Sequence, residues 1–98
     1  MDLNFLQNEI KGRGKKMGIR PQTPVEMMLG VTEETGEVAK EVALFEKTGN
    51  KVNWKRLPDK ELLAEEIAQL LVNIFSLASH YDINIEEAMQ KLFEGKKK

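Results

Sequence analysis

The stretch EETGE, residues 33–37, crowds three carboxylates into five positions of a segment whose pattern is helical. Like charges one turn apart repel and weaken a helix, so this crowding calls for a counter-charge or for open solvent. At about 100° per residue, Glu34, Glu37 and Glu41 fall close together, whereas Glu33 points further toward solvent. We therefore take the side of the helix that carries Glu34, Glu37 and Glu41 as the candidate chemical face.

A second helical segment carries Glu66, Gln69 and Asn73 on one side. If the two helices pack antiparallel, both polar clusters border the packing seam and face one cleft. Carboxylates spaced i and i+3 on neighbouring helices suit a hard divalent cation such as Mg²⁺, which binds phosphate oxygens in turn. A nucleoside triphosphate is then the natural ligand, and a carboxylate can accept a proton from an attacking water. Acidic pairs are also common on solvated helix faces, so the spacing alone is a weak signal.

Helical periodicity dominates the chain, and no strand alternation is convincing. Asp2 is expected to cap a short first helix, which the glycines of a basic loop at 11–22 then end. Lys16 and Arg20 of this loop are candidates for binding phosphates, although a solvated loop is the commoner role for any one of them. The apolar positions of the first helix are Leu3, Leu6 and Ile10.

The second helix has a strong start signal, because Thr23, Pro24 and Glu26 form a capping box with proline at the first position. It is expected to end near residues 48–50, with Gly49 in a left-handed conformation. Its apolar stripe is Met28, Val31, Thr35, Val38, Val42 and Phe45.

The third helix is expected to open at Pro58 and Asp59, and a turn and a short fourth helix capped by Asn84 and Glu87 follow. Gly95 and the lysines at 96–98 are expected to fray. The whole chain, 1–98, is then one all-α domain with two long antiparallel central helices, completed by dimerisation. The third helix's apolar stripe is Leu63, Ile67, Leu70, Ile74, Leu77 and Tyr81.

The connector at 49–58 holds the only tryptophan, Trp54, followed by Lys55 and Arg56. Trp54 can stack on a nucleotide base, but a lone tryptophan in a connector more often anchors that connector to the core. Lys55 and Arg56 are further candidates for phosphate binding, with the same solvated alternative.

Composition excludes several other classes of site. The chain has no cysteine and one histidine, so disulfides, thiolate metal sites and multi-imidazole zinc sites are excluded. The net charge of -1 disfavours a nucleic-acid-binding bundle, although the basic loop keeps that hypothesis open. No apolar run approaches the roughly 20 residues of a membrane span, and no signal peptide is recognisable. A cytoplasmic protein without a membrane partner is the expectation.

The ordered motifs resemble the MazG-like nucleotide pyrophosphohydrolases, an all-α NTP pyrophosphatase group. That family's pattern is EExxE, a spacer and then ExxD, each on a long helix. Residues 33–37 match the first part, and EEIAQLL at 65–71 resembles the family's EExxDxL stretch. HYDINIEEAMQKL, at 80–92, resembles its end, so the resemblance covers residues 24–93. EExxE alone is weak, whereas the ordered combination is more specific.

The resemblance implies a four-helix MazG-like bundle, assembled as a homodimer or a dimer of dimers. It implies Mg²⁺-dependent cleavage of a (d)NTP to a (d)NMP and pyrophosphate, with Mn²⁺ as the alternative cation. It maps the catalytic and metal-binding residues onto Glu34, Glu37 and Glu66, and a fourth metal ligand onto Gln69. Asn73, one turn further on, is a candidate for substrate binding.

Gln69 departs from the family pattern, because it offers a neutral carbonyl where the family has an aspartate. The lost charge should lower Mg²⁺ affinity. Two hypotheses follow: a working pyrophosphohydrolase with a variant site, or a catalytically weakened or inactive helical dimer that binds a nucleotide or another protein. The sequence leaves both open.

Overall fold

The computed structural model describes residues 2–16, 22–49 and 53–95, with the backbone alone for 14–16. Its helices are α1 (Leu3–Lys16), α2 (Pro24–Glu46), α3 (Lys60–His80) and α4 (Ile85–Gly95). Within these ranges there is no strand, α2 packs extensively on α3, and α1 packs on both α3 and α4. The expected all-α bundle with two long central helices is confirmed.

Helix α1 begins as expected but runs further. The Asp2 carboxylate accepts a hydrogen bond from the amide of Phe5 at 2.7 Å, which caps the first turn. The helix then continues to Lys16, so the expected loop is wrong for residues 11–16. Each glycine costs about 1 kcal/mol relative to alanine, but the lysines and arginine here are good helix formers and favour the negative C-terminal end. Residues 17–21 of that loop lie outside the described residues.

The capping box of α2 is confirmed in both directions. The Glu26 amide donates to the Thr23 hydroxyl oxygen at 3.1 Å, and the Thr23 amide donates to the Glu26 carboxylate at 2.9 Å. The helix ends at Glu46, where Lys47 takes the left-handed conformation with φ of 52°. Gly49 is also left-handed, with φ of 60°, so the chain turns through two such residues where we expected one.

Helices α3 and α4 start at the expected caps. The Asp59 carboxylate accepts from the amides of Glu61 and Leu62, at 2.9 and 3.3 Å. The Asn84 side-chain oxygen accepts from the amide of Glu87 at 2.9 Å. Side-chain oxygens at these positions satisfy amides that have no partner within the helix.

Gln7, which is 8% exposed, fastens α1 to the turn between α3 and α4. Its side-chain nitrogen donates to the Ser79 hydroxyl at 3.1 Å and to the Ile83 carbonyl at 2.8 Å. Its side-chain oxygen accepts from the amide of Ile85 at 3.1 Å. Around it, Asn4 accepts from Asn84 at 2.6 Å and donates to Glu86 at 3.0 Å. We call this set the polar latch: Asn4, Gln7, Ser79, Asn84 and Glu86.

The two long helices run antiparallel and meet through their polar sides. Gly30 of α2 lies against Asn73 near the end of α3, whereas Glu37 lies near Glu66, which is closer to the start of α3. Glu41 and Leu44 are the buried residues of α2. Glu41 is buried, whereas Glu34, Glu37 and Glu66 are half-buried along the contact. We call these four glutamates the acidic seam.

Each apolar stripe is only partly exposed. Val42 of α2 is 44% exposed and Ile67 of α3 is 43% exposed, and Met28, Phe45 and Ile74 are exposed as well. The other apolar members of the two stripes are half-buried, except for Tyr81: Val31, Val38, Leu63, Leu70 and Leu77. Gly30 permits the polar sides to approach closely, because it brings no side chain to the contact.

Among the described residues, one helix, α3, is long and apolar enough to cross a membrane by length and composition. Its 18-residue window reaches a mean hydropathy of 1.4, so the expectation that no such run exists is wrong on this measure. The measure is weak evidence, because the core helix of a globular protein passes the same test. The polar Glu66, Gln69 and Asn73 interrupt this window.

Candidate functional site

Three glutamates of the acidic seam converge across the two long helices. The side chain of Glu66 on α3 lies close to those of Glu34 and Glu37 on α2, and the charges of both act on it. Partial burial raises the pKa of Glu66, and these two negative charges raise it further. Carboxylates held close together repel, and a bound proton or cation relieves that repulsion. The cluster therefore has an affinity for positive charge, whether a proton or a cation.

Lys40 supplies one positive charge to this cluster. Its ammonium lies 2.7 Å from the Glu37 carboxylate and 3.9 Å from the Glu41 carboxylate. The hydrogen bond with Glu37 raises the pKa of Lys40 above its ordinary value. Lys40 thus links a half-exposed glutamate to a buried one.

Arg56 supplies the second positive charge. Its Nη2 donates to Glu41 at 2.6 Å, although the two residues belong to the connector and to α2 respectively. Glu41 is 1% exposed, and its second carboxylate oxygen, Oε1, has no hydrogen-bond partner among the described residues. A buried carboxylate with one unsatisfied oxygen raises the free energy of the folded state, since both oxygens normally have hydrogen-bond partners.

The described side chains of the acidic seam do not surround a cation site in this conformation. Among the described residues, no group of three or more Asp, Glu or His stands close enough to hold a metal ion. Glu34 lies close to Glu66, and Glu37 accepts a hydrogen bond from Lys40. The carboxylate oxygens of these glutamates fit a hard divalent cation by chemistry, and binding one at Glu37 requires the bond with Lys40 to open.

The other residues predicted for the site are distributed as follows. Asn73 is half-buried in the seam, and a Cβ at position 30 would lie 3.3 Å from its Nδ2. Gln69 is exposed. Trp54 and Lys55 are exposed in the connector, and Arg56 reaches the acidic seam through Glu41. Lys16, as a side chain, and Arg20 lie outside the described residues.

Sequence analysis gives no role to Glu41 or Lys40, which form ion pairs in the seam. Glu41 belongs to the acidic face, and its spacing of four from Glu37 puts it one turn further along the helix. Lys40 was not identified, although a lysine three residues after Glu37 is a recognisable i,i+3 partner. No sequence signal pairs Arg56 with Glu41, because the contact depends on how the connector folds back.

Two clefts of the described structure are lined by other residues than Glu34, Glu37 and Glu66. One, at the start of α3, is lined by Asp59, Glu61, Leu62, Ala64 and Glu65. The other lies beside the polar latch and includes Asn4, Gln7 and Ser79. We call the surface between Glu34, Glu37 and Glu66 the groove.

Comparison with known proteins identifies the family of the chain. The family model of the MazG nucleotide pyrophosphohydrolase domain matches residues 22–98, which include α2, α3 and α4. The "Uncharacterized protein YpjD" of Bacillus subtilis (strain 168) is 37% identical over 70 residues, which is 71% of this chain. The match spans only 60% of YpjD. No solved structure matches the chain significantly. The chain belongs to the MazG nucleotide pyrophosphohydrolase domain family.

Proposed function

We propose that the protein is an Mg²⁺-dependent nucleoside triphosphate pyrophosphohydrolase that converts a (d)NTP to a (d)NMP and pyrophosphate. The observation that carries the proposal is the convergence of Glu34, Glu37 and Glu66 from two antiparallel helices, strong enough to raise the pKa of Glu66. Membership of a pyrophosphohydrolase domain family supports the same reaction class.

Glu34, Glu37 and Glu66 would hold the cation, and Mn²⁺ is the alternative to Mg²⁺. Their anionic oxygens are the ligands that such hard cations prefer. When bound, the cation supplies Lewis-acid polarisation of the phosphate oxygens and neutralises the charge that develops on them. Gln69 is the neutral candidate for a fourth ligand, and its exposed position means that it has to turn toward the groove.

The remaining steps belong to side chains of the chain itself. One of Glu34, Glu37 and Glu66 accepts the proton of the attacking water, which makes the oxygen a better nucleophile at the α phosphate. Lys40 and Arg56 offset the negative charge of the phosphates, since both border the groove. Asn73 can donate to sugar or phosphate oxygens, Trp54 would stack on the base, and Lys55 would bind phosphate oxygens.

A second copy of the chain completes the fold in this proposal. The described buried hydrophobic residues are only Leu44, Phe75 and Ala78. The radius of gyration is 16.3 Å, whereas a compact chain of this length has about 13 Å. Val42, Ile67 and the neighbouring stripe residues form outward apolar faces on both long helices, which suits an isologous helical dimer. Sedimentation should give a homodimer or a dimer of dimers, and Ile67→Asp should shift it toward monomer. A monomeric wild type would contradict this.

The direct test is pyrophosphate release from a panel of NTPs and dNTPs with Mg²⁺ or Mn²⁺. Glu37→Gln should lower release by about 100-fold or more, because it removes an anionic ligand from the cation site. Glu33→Gln is the matched control, since Glu33 is exposed on the same helix and should have little effect. If no nucleotide in the panel is cleaved at any metal concentration, the catalytic proposal fails.

The alternative is a non-catalytic member that binds a nucleotide or a protein. The observations that favour it are the neutral, exposed Gln69 and the lack of a ready three-carboxylate group among the described side chains. Gln69→Asp separates the two functions. A large gain from no activity favours a decayed site, whereas a small change from measurable activity favours a working variant site.

A further inference from the structure

Glu41 is the one member of the acidic seam that the proposed reaction does not use. It is 1% exposed, and its Oε1 has no partner among the described residues. Burying a carboxylate to form a single ion pair is a poor way to stabilise a fold, because desolvation offsets the attraction. A structural ion pair would also satisfy both oxygens. The cost points to a role other than stability.

What Glu41 does in the structure is hold two cations. Arg56 donates to Glu41 at 2.6 Å, and Lys40 lies 3.9 Å from the same carboxylate oxygen. The Arg56 side chain is 39% exposed, so part of its fork of five N–H donors faces solvent while one arm is anchored. Glu41 thus restricts a long connector side chain to one position beside the groove.

The pair of cations is joined to the proposed cation site. Lys40 contacts Glu41 and, at 2.7 Å, the carboxylate of Glu37. A phosphate chain that starts at a cation held by Glu37 would meet Lys40 first. Arg56, anchored to the same buried carboxylate, comes next along the seam. Guanidinium and ammonium groups are the usual protein partners of phosphate oxygens.

We propose that Glu41 is a positioning residue that fixes Arg56 and Lys40 as an anchor for the phosphates of the substrate. The proposal rests on the proposed function for the identity of that ligand, a nucleoside triphosphate. Glu41 acts through the two cations and touches neither the substrate nor the metal. Its effect is therefore on substrate affinity, with the metal site and the chemical step left in place.

The test compares Glu41→Gln with Arg56→Ala and with the double variant. Binding of an α,β-methylene nucleoside triphosphate with Mg²⁺ is measured by calorimetry, Mn²⁺ binding by electron paramagnetic resonance, and KM and kcat by pyrophosphate release. Glu41→Gln should weaken analogue binding and raise KM by about 10-fold or more, with kcat and Mn²⁺ affinity within about threefold of wild type. Arg56→Ala should reproduce the affinity loss, and the double variant should add little to it, because the two residues act as a unit.

A purely structural Glu41 gives a different pattern. It would lower the unfolding midpoint while KM and analogue affinity of the folded protein stay at the wild-type value, and that result overturns the proposal. If Glu41→Gln does not fold, Arg56→Ala and Arg56→Lys decide, since Arg56 is at the surface. Partial recovery of affinity by lysine supports a phosphate anchor, and equal affinity in all three forms overturns it.

The two proposals fail in separable ways. If the wild type binds the analogue but releases no pyrophosphate, the proposed reaction fails while the binding comparison still decides the role of Glu41. If the wild type cleaves nucleotide and Glu41→Gln matches it in KM, the reaction stands and the anchor is refuted. A wild type that does not bind the analogue refutes the anchor as well.

Discussion

The polar latch and the acidic seam are both built from polar side chains between helices, but they are satisfied to very different degrees. In the latch, both the oxygen and the nitrogen of Gln7 and of Asn4 have partners within the chain. In the seam, Glu66 faces two other glutamates, and one oxygen of the buried Glu41 has no described partner. Both regions pack helices, yet only the latch is complete without a ligand.

The paired side chains of the latch stabilise the fold by themselves, whereas the carboxylates of the seam gain a full set of partners only when a cation binds. A fully paired buried amide specifies one geometry and strengthens it. Like charges held together by the packing of α2 on α3 raise the free energy of the folded chain until a cation arrives. Ligand binding then returns stability by mass action. Substitutions in the latch should thus change stability alone, and substitutions in the seam should change binding and stability in opposite directions.

Gln7→Ala should give the largest stability loss. It removes three hydrogen bonds and leaves the Ile83 carbonyl and the Ile85 amide without this partner, so we expect a loss of about 3 kcal/mol in the free energy of unfolding. Urea denaturation measures it. Asn8→Ala, at the exposed neighbouring position, is the control and should cost under about 0.5 kcal/mol. Mn²⁺ affinity of the folded variant should equal that of wild type. A parallel loss of metal binding would contradict the claim that the latch affects stability alone.

Glu66→Gln should act in the opposite direction on the metal-free protein. Because the folded-state pKa of Glu66 is raised, folding favours its protonated form, so stability is greatest below its ordinary pKa and falls as pH rises through the raised value. The variant removes this decline, so its urea midpoint should exceed that of wild type at pH 7 and match it near pH 4. Mg²⁺ should stabilise the wild type and have little effect on the variant.

The control for that comparison is Glu65→Gln, at the exposed neighbouring position on α3. It makes the same change in net charge without touching the seam, so its urea midpoint should follow wild type at both pH values. If Glu65→Gln and Glu66→Gln gave equal gains at pH 7, general charge repulsion would explain both. The position of Glu66 beside Glu34 and Glu37 would then have no separate effect on stability.

Proton and metal should compete at the same group. Mn²⁺ affinity of the wild type should weaken as pH falls through the raised pKa of Glu66, because a proton on Glu66 must leave before its carboxylate can bind a cation. Titrations by electron paramagnetic resonance measure it between about pH 4.5, near the ordinary pKa of a glutamate, and about pH 8. An affinity that is flat with pH would show that Glu66 is not a ligand.

The contrast also explains what the sequence could predict. Helix caps at Thr23, Asp59 and Asn84 were predictable because a cap depends on residues within one turn. The convergence of Glu34, Glu37 and Glu66 followed from helical spacing plus one assumption, that the helices are antiparallel. The side of α2 that faces α3 was not predictable, because periodicity shows an apolar side but not which neighbour covers it. The contact of Arg56 with Glu41 depends on the connector path, which has no periodic signal.

Gly30→Ala should have the smallest effect and tests how tightly the seam is closed. Alanine favours a helix by up to about 1 kcal/mol over glycine, but a Cβ at position 30 would lie 3.3 Å from Nδ2 and 3.6 Å from Cγ of Asn73. The carboxamide must shift by a few tenths of an ångström, so the two effects should nearly cancel in the free energy of unfolding. Gly36→Ala is the matched control on the same helix, because a Cβ there meets nothing within 4 Å. It should gain the full benefit of about 0.5–1 kcal/mol. The urea midpoints of the two variants distinguish two outcomes. Equal gains would mean that the contact of α2 with Asn73 has room for a Cβ. A gain at position 36 alone would mean that the glycine at position 30 is needed for the close approach of the two polar faces.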